Sequence, residues 1–228
     1  MQALSKLVYI VTAEPEPAWE AEFNRWYDEE HIPNLLRVPG YLSAARYTAV
    51  EGQPKYMAFW EIESMDAYRS AAHDHAADTE WTRRIRPHRA SQMAFYEQVF
   101  PAEGLMAGAA APGAEPGGLL VVRMDCAAGH EADFNAWYDQ EHVPALCSVP
   151  GVIGGRRFKA VQGTPEYLAM YYVTEPAVVA SAAWKQAADT EWTRRGREYR
   201  LNTWRTVYVP YAASVAAGSA VGGAAAQR

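Results

Sequence analysis

Apolar and polar positions follow two periods along this chain, and the whole pattern is written twice. Residues 6–12 and 119–124 are β-branched runs that predict first strands. Longer segments follow, roughly 19–37 and 130–148, whose apolar spacing predicts amphipathic helices. In the first, Phe23, Trp26, Tyr27, His31 and Leu35 recur at the three- and four-residue intervals of one helical face. Pro33 and Pro144 each remove a backbone donor inside these helices, which predicts a kink or break beside the neighbouring histidine. Val38-Pro39-Gly40 ends the first helix. Residues 41–50 and 56–62 then alternate as a hairpin around Gly52-Gln53-Pro54, and Tyr167, Ala169, Tyr171 and Val173 repeat its second strand. A second helical region over 64–86 and a last strand over 92–99 complete the order β-α-β-β-α-β.

The second copy lies 111 residues after the first, and that offset holds for almost its whole length. Phe23-Asn24-Arg25-Trp26-Tyr27-Asp28-Glu29-Glu30-His31-Ile32-Pro33 returns as Phe134-Asn135-Ala136-Trp137-Tyr138-Asp139-Gln140-Glu141-His142-Val143-Pro144. A constant offset without insertions marks one structural unit in tandem. The predicted domains are a first unit over 1–100, a Pro/Ala/Gly linker over 101–117, a second unit over 118–211 and a flexible Ala/Gly tail over 212–228. A four-stranded sheet with helices on one face leaves its other face bare, and two copies cover those faces together. The predicted fold is therefore α+β: two tandem ferredoxin-like units forming an intramolecular pseudo-dimeric α+β barrel.

Composition narrows the function. Half of the 228 residues are apolar, the net charge is −6, and no dense Lys/Arg run occurs. Nucleic acid and anionic membrane surfaces are thereby disfavoured as partners, leaving a small hydrophobic molecule. Cys126 and Cys147 both lie in the second copy, opposite Pro15 and Leu36, so no disulfide framework is shared. With no secretory pattern and no run of 18 apolar residues, the expectation is a cytoplasmic protein. Further self-association of the barrel is left open.

The doubled F-N-x-W-Y-D-x-E-H-[IV]-P pattern, followed by V-P-G, resembles the EthD-like family of the dimeric α+β barrel superfamily. The resemblance covers residues 19–46 and 130–157, with weaker agreement through the second helix. It implies the fold firmly and the reaction hardly at all. The superfamily includes cofactor-free monooxygenases, cyclases, isomerases, decarboxylases, dehydratases and haem enzymes.

His31 and His142 are the leading chemical candidates, each on an aromatic helix face. Asp28 and Asp139, three residues earlier, are placed to orient the imidazole, which would act as general acid/base. Tyr27 and Tyr138 offer phenols. Arg46 and Arg157 offer cations for an oxyanion or for an ion pair with a first-helix acid. Trp26, Trp60, Trp81 and Trp137 are candidate walls for a flat ligand, although aromatics at this spacing also build ordinary cores.

Differences between the copies sharpen this set. His73, His75 and His88 face Trp184, Gln186 and Tyr199, so the first copy holds four of the six histidines. A tryptophan in place of His73 would fill an equivalent cavity, and the first copy is read as the working one. His73 or His75 would supply a second proton-transfer group, with His88 lining the pocket. His73-Asp74-His75 is not a metal motif, because residues two apart on a helix point about 200° from each other. No nucleotide-binding spacing occurs, and no cofactor is expected. The leading reading is a cofactor-independent lyase, isomerase, cyclase or decarboxylase acting on a small aromatic or carbonyl-bearing molecule. A cofactor-free monooxygenase and a non-catalytic binding protein are the alternatives.

Overall fold

The computed structural model describes residues 4–211; the tail expected over 212–228 lies outside the described residues. The first half runs β1 (Leu7–Pro15), α1 (Glu20–Trp26), α2 (Ile32–Leu35), β2 (Tyr41–Glu51), β3 (Tyr56–Ile62), α3 (Met65–Tyr68), α4 (Ala71–Ala77), α5 (Glu80–Ile85) and β4 (Arg89–Phe100). A short β5 (Met106–Ala107) follows. The second half runs β6 (Gly118–Cys126), α6 (Glu131–Trp137), α7 (Val143–Cys147), β7 (Val152–Gln162), β8 (Tyr167–Val173), α8 (Ala182–Ala187), α9 (Glu191–Glu198) and β9 (Arg200–Pro210).

All strand pairs are antiparallel. Their order is β4-β1-β3-β2-β9-β6-β8-β7, and β7 pairs back onto β4 to close the barrel. Both seams join strands of different halves. At one, Thr48 of β2 opposes Val209 of β9; at the other, Glu97 of β4 opposes Lys159 of β7. Closure removes the free edges that an open sheet of either half would present.

Alternation along the strands divides the apolar residues into three layers. Tyr56, Ala58, Trp60 and Ile62 of β3 face the first-half helices, whereas Met57 and Phe59 face the lumen, so the strand is buried throughout. The lumen is filled by side chains such as Val8, Tyr96, Phe158, Met170 and Tyr208. It also holds a charge: Arg156 donates to Gln98 Oε1 at 2.6 Å and to the Ser5 carbonyl at 2.6 Å, and pairs with Glu61 at 3.3 Å. The first-copy counterpart of Arg156 is Ala45, so this ion pair belongs to one side only.

One expectation changes. The helix does not break at Pro33 or Pro144. Instead, residues Tyr27–His31 and Tyr138–His142 form a wide π-turn between the flanking α-helices. Proline has no N–H to give to the carbonyl four residues back, and the wide turn absorbs that loss within a continuous helix. The linker also carries structure. Met106 and Ala107 pair with Gly155 and Gly154 at the edge of β7, and Gln98 Nε2 donates to the carbonyls of Pro101 (2.7 Å) and Gly104 (2.9 Å). Gly154 is required there, since a Cβ would lie 2.5 Å from the Met106 carbonyl oxygen. Among the described residues, no helix is long and apolar enough to cross a membrane.

Candidate functional site

The π-turn positions the motif. The Ile32 N–H bonds to the Tyr27 carbonyl, five residues back, so Tyr27 and His31 meet edge-to-face with centroids 5.2 Å apart. Tyr138 and His142 repeat this at 5.2 Å. Trp26 stacks on His31 at 4.2 Å and donates its indole N–H to Thr82 Oγ1 at 3.1 Å; Trp137 donates to Thr193 at 3.2 Å. Those threonines sit in helices capped by Thr79 and Thr190, whose hydroxyls also reach Glu30 and Glu141. Trp26 and Trp137 are thus pinned core residues rather than ligand walls.

Arg46 is buried at 2% exposure and pairs with Asp28 at 2.8 Å. It also donates to Asn24 and lies over the rings of Tyr27 (4.5 Å) and Tyr211 (4.1 Å). Arg157 repeats the arrangement with Asp139, Asn135 and Tyr138. One expectation is corrected, since Asp28 and Asp139 orient arginines rather than histidines. Of the two roles expected for Arg46 and Arg157, the structure holds the ion pair with a first-helix acid, which locks helix to sheet.

Released from a carboxylate partner, His31 Nδ1 is enclosed and makes no hydrogen bond. Three other buried groups of the first half share that condition: Trp60 Nε1 and Arg89 Nε beside it, and Trp81 Nε1 on α5. The rings connect the first two: Trp60 stands edge-on to His31 at 6.0 Å, and Arg89 lies 5.3 Å from the Trp26 ring centre. Burial, then the charges of Arg89, His73 and Arg46, push the His31 pKa down to about 3. The imidazole is therefore neutral across the physiological range.

His73 completes the layer. Ser70 caps α4 by accepting the His73 backbone N–H at 3.0 Å, which fixes the side chain toward the sheet. Its Nδ1 lies 2.8 Å from the Tyr41 hydroxyl, and burial lowers its pKa. Tyr41 stands edge-on to Trp60 at 5.7 Å, while Tyr68 packs on His73 at 4.5 Å and Tyr9 stacks on Phe95 at 4.5 Å.

The second half keeps part of this. His142 Nδ1 lies 3.4 Å from Thr193 Oγ1, and its pKa is also pushed down to about 3, by burial and then by Arg200, Arg197 and Arg157. The Tyr171 hydroxyl and Arg200 Nε are buried without partners. Where the first half has His73, however, Ser181 caps α8 and places Trp184 edge-on to Tyr171 at 5.5 Å.

Three sequence candidates fall elsewhere. His75 points to solvent. His88 stacks on Trp19 at 3.7 Å and contacts Glu16 at 3.1 Å, and the second copy preserves this stack with the partners exchanged, as His130 on Tyr199 at 4.3 Å. Losing His88 therefore says nothing about a site. Trp81 lies on the outer helix layer between Arg25 (5.6 Å) and Arg84 (5.8 Å). Conversely, sequence reasoning missed Tyr9, Tyr41, Tyr68 and Arg89. The first three face Leu120, Val152 and Val179, a signal as plain as His73 facing Trp184. Arg89 was hidden by being shared with Arg200.

Openness does not mark this place. A surface depression of about 380 Å³, lined by Ser5, Lys6, Glu63, Met65, Glu97 and others, contains none of these aromatics. No group of three or more His, Cys, Asp or Glu among the described residues is arranged to hold a metal. A haem-ligating histidine ordinarily donates its second ring nitrogen to a partner, and the orphaned Nδ1 of His31 does not fit that role.

Comparison with known proteins places the fold. No family model matches the sequence, and no curated protein matches it. Solved structures do. An anthrone oxidase-like protein is similar over 92% of this chain and 92% of its own, with a TM-score of 0.62 and 12% identity. A variant chlorite dismutase from Candidatus Nitrospira defluvii is similar over 90% of this chain and 92% of its own (TM-score 0.61, 11% identity). A monooxygenase-like protein from Lactobacillus acidophilus NCFM gives a TM-score of 0.56 at 9% identity, over 90% of this chain and 94% of its own. The shared property is the fold, a closed antiparallel barrel of eight strands with helices on its outside.

Proposed function

We propose that the chain is a cofactor-independent enzyme that takes a proton from a small, flat, carbonyl-bearing hydrophobic molecule in the helix–sheet layer of its first half. We further read each half as a ferredoxin-like unit and the chain as an EthD-like protein. The observation that carries the proposal is the set of orphaned polar atoms, His31 Nδ1, Trp60 Nε1 and Arg89 Nε, buried in one aromatic layer. Each unsatisfied group costs about 1–3 kcal/mol, a cost that a ligand's acidic hydrogen and oxygen would relieve.

Neutral His31 accepts the proton, and the anion formed lies in the field of Arg89 with the Trp60 N–H as donor. An anion beside the imidazole offsets the charges of Arg89, His73 and Arg46, which after burial depress its pKa. The carbanion or enolate then leads to elimination, isomerisation, cyclisation or decarboxylation.

The likeness to anthrone oxidase-like and monooxygenase-like proteins favours a second reading, in which the carbanion reacts with oxygen. With anthrone itself, the methylene would become a carbonyl, one O2 being consumed and one water released.

Anthrone in deuterated buffer tests both. Under nitrogen, exchange of its methylene hydrogens above the buffer rate, lost in His31→Gln, supports the proton-transfer reading. Oxygen uptake in step with anthraquinone under air moves the assignment to the monooxygenase. Tight binding with neither outcome would identify a carrier and sink the enzymatic proposal.

A further inference from the structure

The orphaned set accounts for the base and the anion's field, but not for the hydrogen-bonded pair on the other side of Trp60. Tyr41 and His31 both stand edge-on to that indole, at 5.7 and 6.0 Å. An imidazole and a phenol thus flank one indole. The phenol is not idle packing. Its oxygen is 2.8 Å from Nδ1 of His73, a residue only 8% exposed and fixed by the Ser70 cap.

None of this exists in the second half, where Val152 and Trp184 take the two positions and Val179 replaces the packing residue Tyr68. A pair needed only for the fold would have been needed twice, because the surrounding scaffold is kept in both halves: the threonine caps, the buried Trp–Thr bonds and the Arg–Asp pairs.

Building on the proton-abstraction reading above, we infer that Tyr41 is a second catalytic residue, the donor that holds the substrate's carbonyl oxygen, and that His73 is its positioning residue. In this arrangement the His73 Nδ1–H donates to the Tyr41 oxygen and turns the phenolic O–H toward the ligand. Burial keeps Tyr41 protonated well above neutral pH, as a donor must be. The step is an enolisation. In anthrone the C–H bond that breaks is on the methylene across the central ring from the carbonyl, and its proton passes to His31. The electron pair is relayed through the intervening π system, the carbonyl π pair moves onto oxygen, and that oxygen takes the Tyr41 proton. Tyr41 recovers a proton and His31 releases one through solvent, so nothing else is consumed. The substrate class is thereby an enolisable aromatic ketone.

The test uses the full chain, anthrone as probe, and methylene exchange under nitrogen followed by mass spectrometry. Tyr41→Phe, which removes only the hydroxyl, should lower the exchange rate constant at saturation at least about tenfold while KM moves little. His73→Leu should lower it by a smaller factor, and His73→Asn, whose amide can still donate to the phenol oxygen, should restore most of the loss. A role for His73 in packing alone would instead spare the leucine variant. Exchange that requires His31 but stays within about twofold of wild type in Tyr41→Phe overturns this inference and leaves the base assignment standing. Wild-type exchange no faster than buffer removes both.

Discussion

The two helix–sheet layers are built on one frame and filled differently. Both hold a tryptophan to a threonine, an arginine to an aspartate and asparagine, and a histidine against a tyrosine across a π-turn. Only the first presents Tyr9, Tyr41, Tyr68 and His73; the second has Leu120, Val152, Val179 and Trp184 at the same places. What is common is mechanical. What differs is hydroxyls and an imidazole on one side, aliphatic groups and an indole on the other. The contrast warns against taking a duplicated motif as an active site, since most of its residues are bound to one another.

The largest effect should come from breaking the common frame. Replacing Arg46 by Met leaves Asp28 half-buried without its partner and should cost about 3–5 kcal/mol in urea unfolding. Arg157→Met should cost a similar amount, and a wide difference between the two would mean the halves do not share this lock. Function should divide where stability does not. His31→Gln should reduce anthrone exchange by about 100-fold or more, and His142→Gln by less than about threefold. Equal losses would make the second half a working site too.

Acid should then act on both halves alike. His31 and His142 have folded pKa values near 3, below the usual histidine value, so the unfolded chain binds more protons between about pH 6.5 and 3. Their contribution to stability is intact above that window and lost as pH falls through it. Each His→Gln change should flatten the acid limb by up to about one proton, measured as the slope of unfolding free energy against pH. The smallest effect is reserved for His75→Ala on the solvent face, with exchange and melting temperature both unchanged; a loss of activity there would redraw the site.

Much of this architecture was legible in the chain, for identifiable reasons. The fixed offset and the alternation of residues 56–62 led to the barrel, because burial on both faces leaves a readable mark on a strand. Pro33 gave the place of an irregularity but not its form, since kink and π-turn satisfy the same missing donor. Comparing the copies found His73 against Trp184. It was misled at His88, because the Trp19–His88 stack changed both partners at once in becoming His130–Tyr199, and only a paired view reveals the compensation. Asp28 was assigned to His31 by helical spacing, yet a buried arginine on the neighbouring strand is the stronger claimant for a carboxylate.

Both barrel seams join residues of a single polypeptide. Closure is accordingly a unimolecular event, insensitive to dilution, in which the tether replaces the encounter of two subunits. A homodimer must accept every substitution twice, once on each side of its axis. Here Arg156 pairs with Glu61 in the lumen while its counterpart is Ala45, and Trp184 stands at the place of His73. One covalent chain permits inheritance of asymmetry: each half is free to change without carrying its twin along.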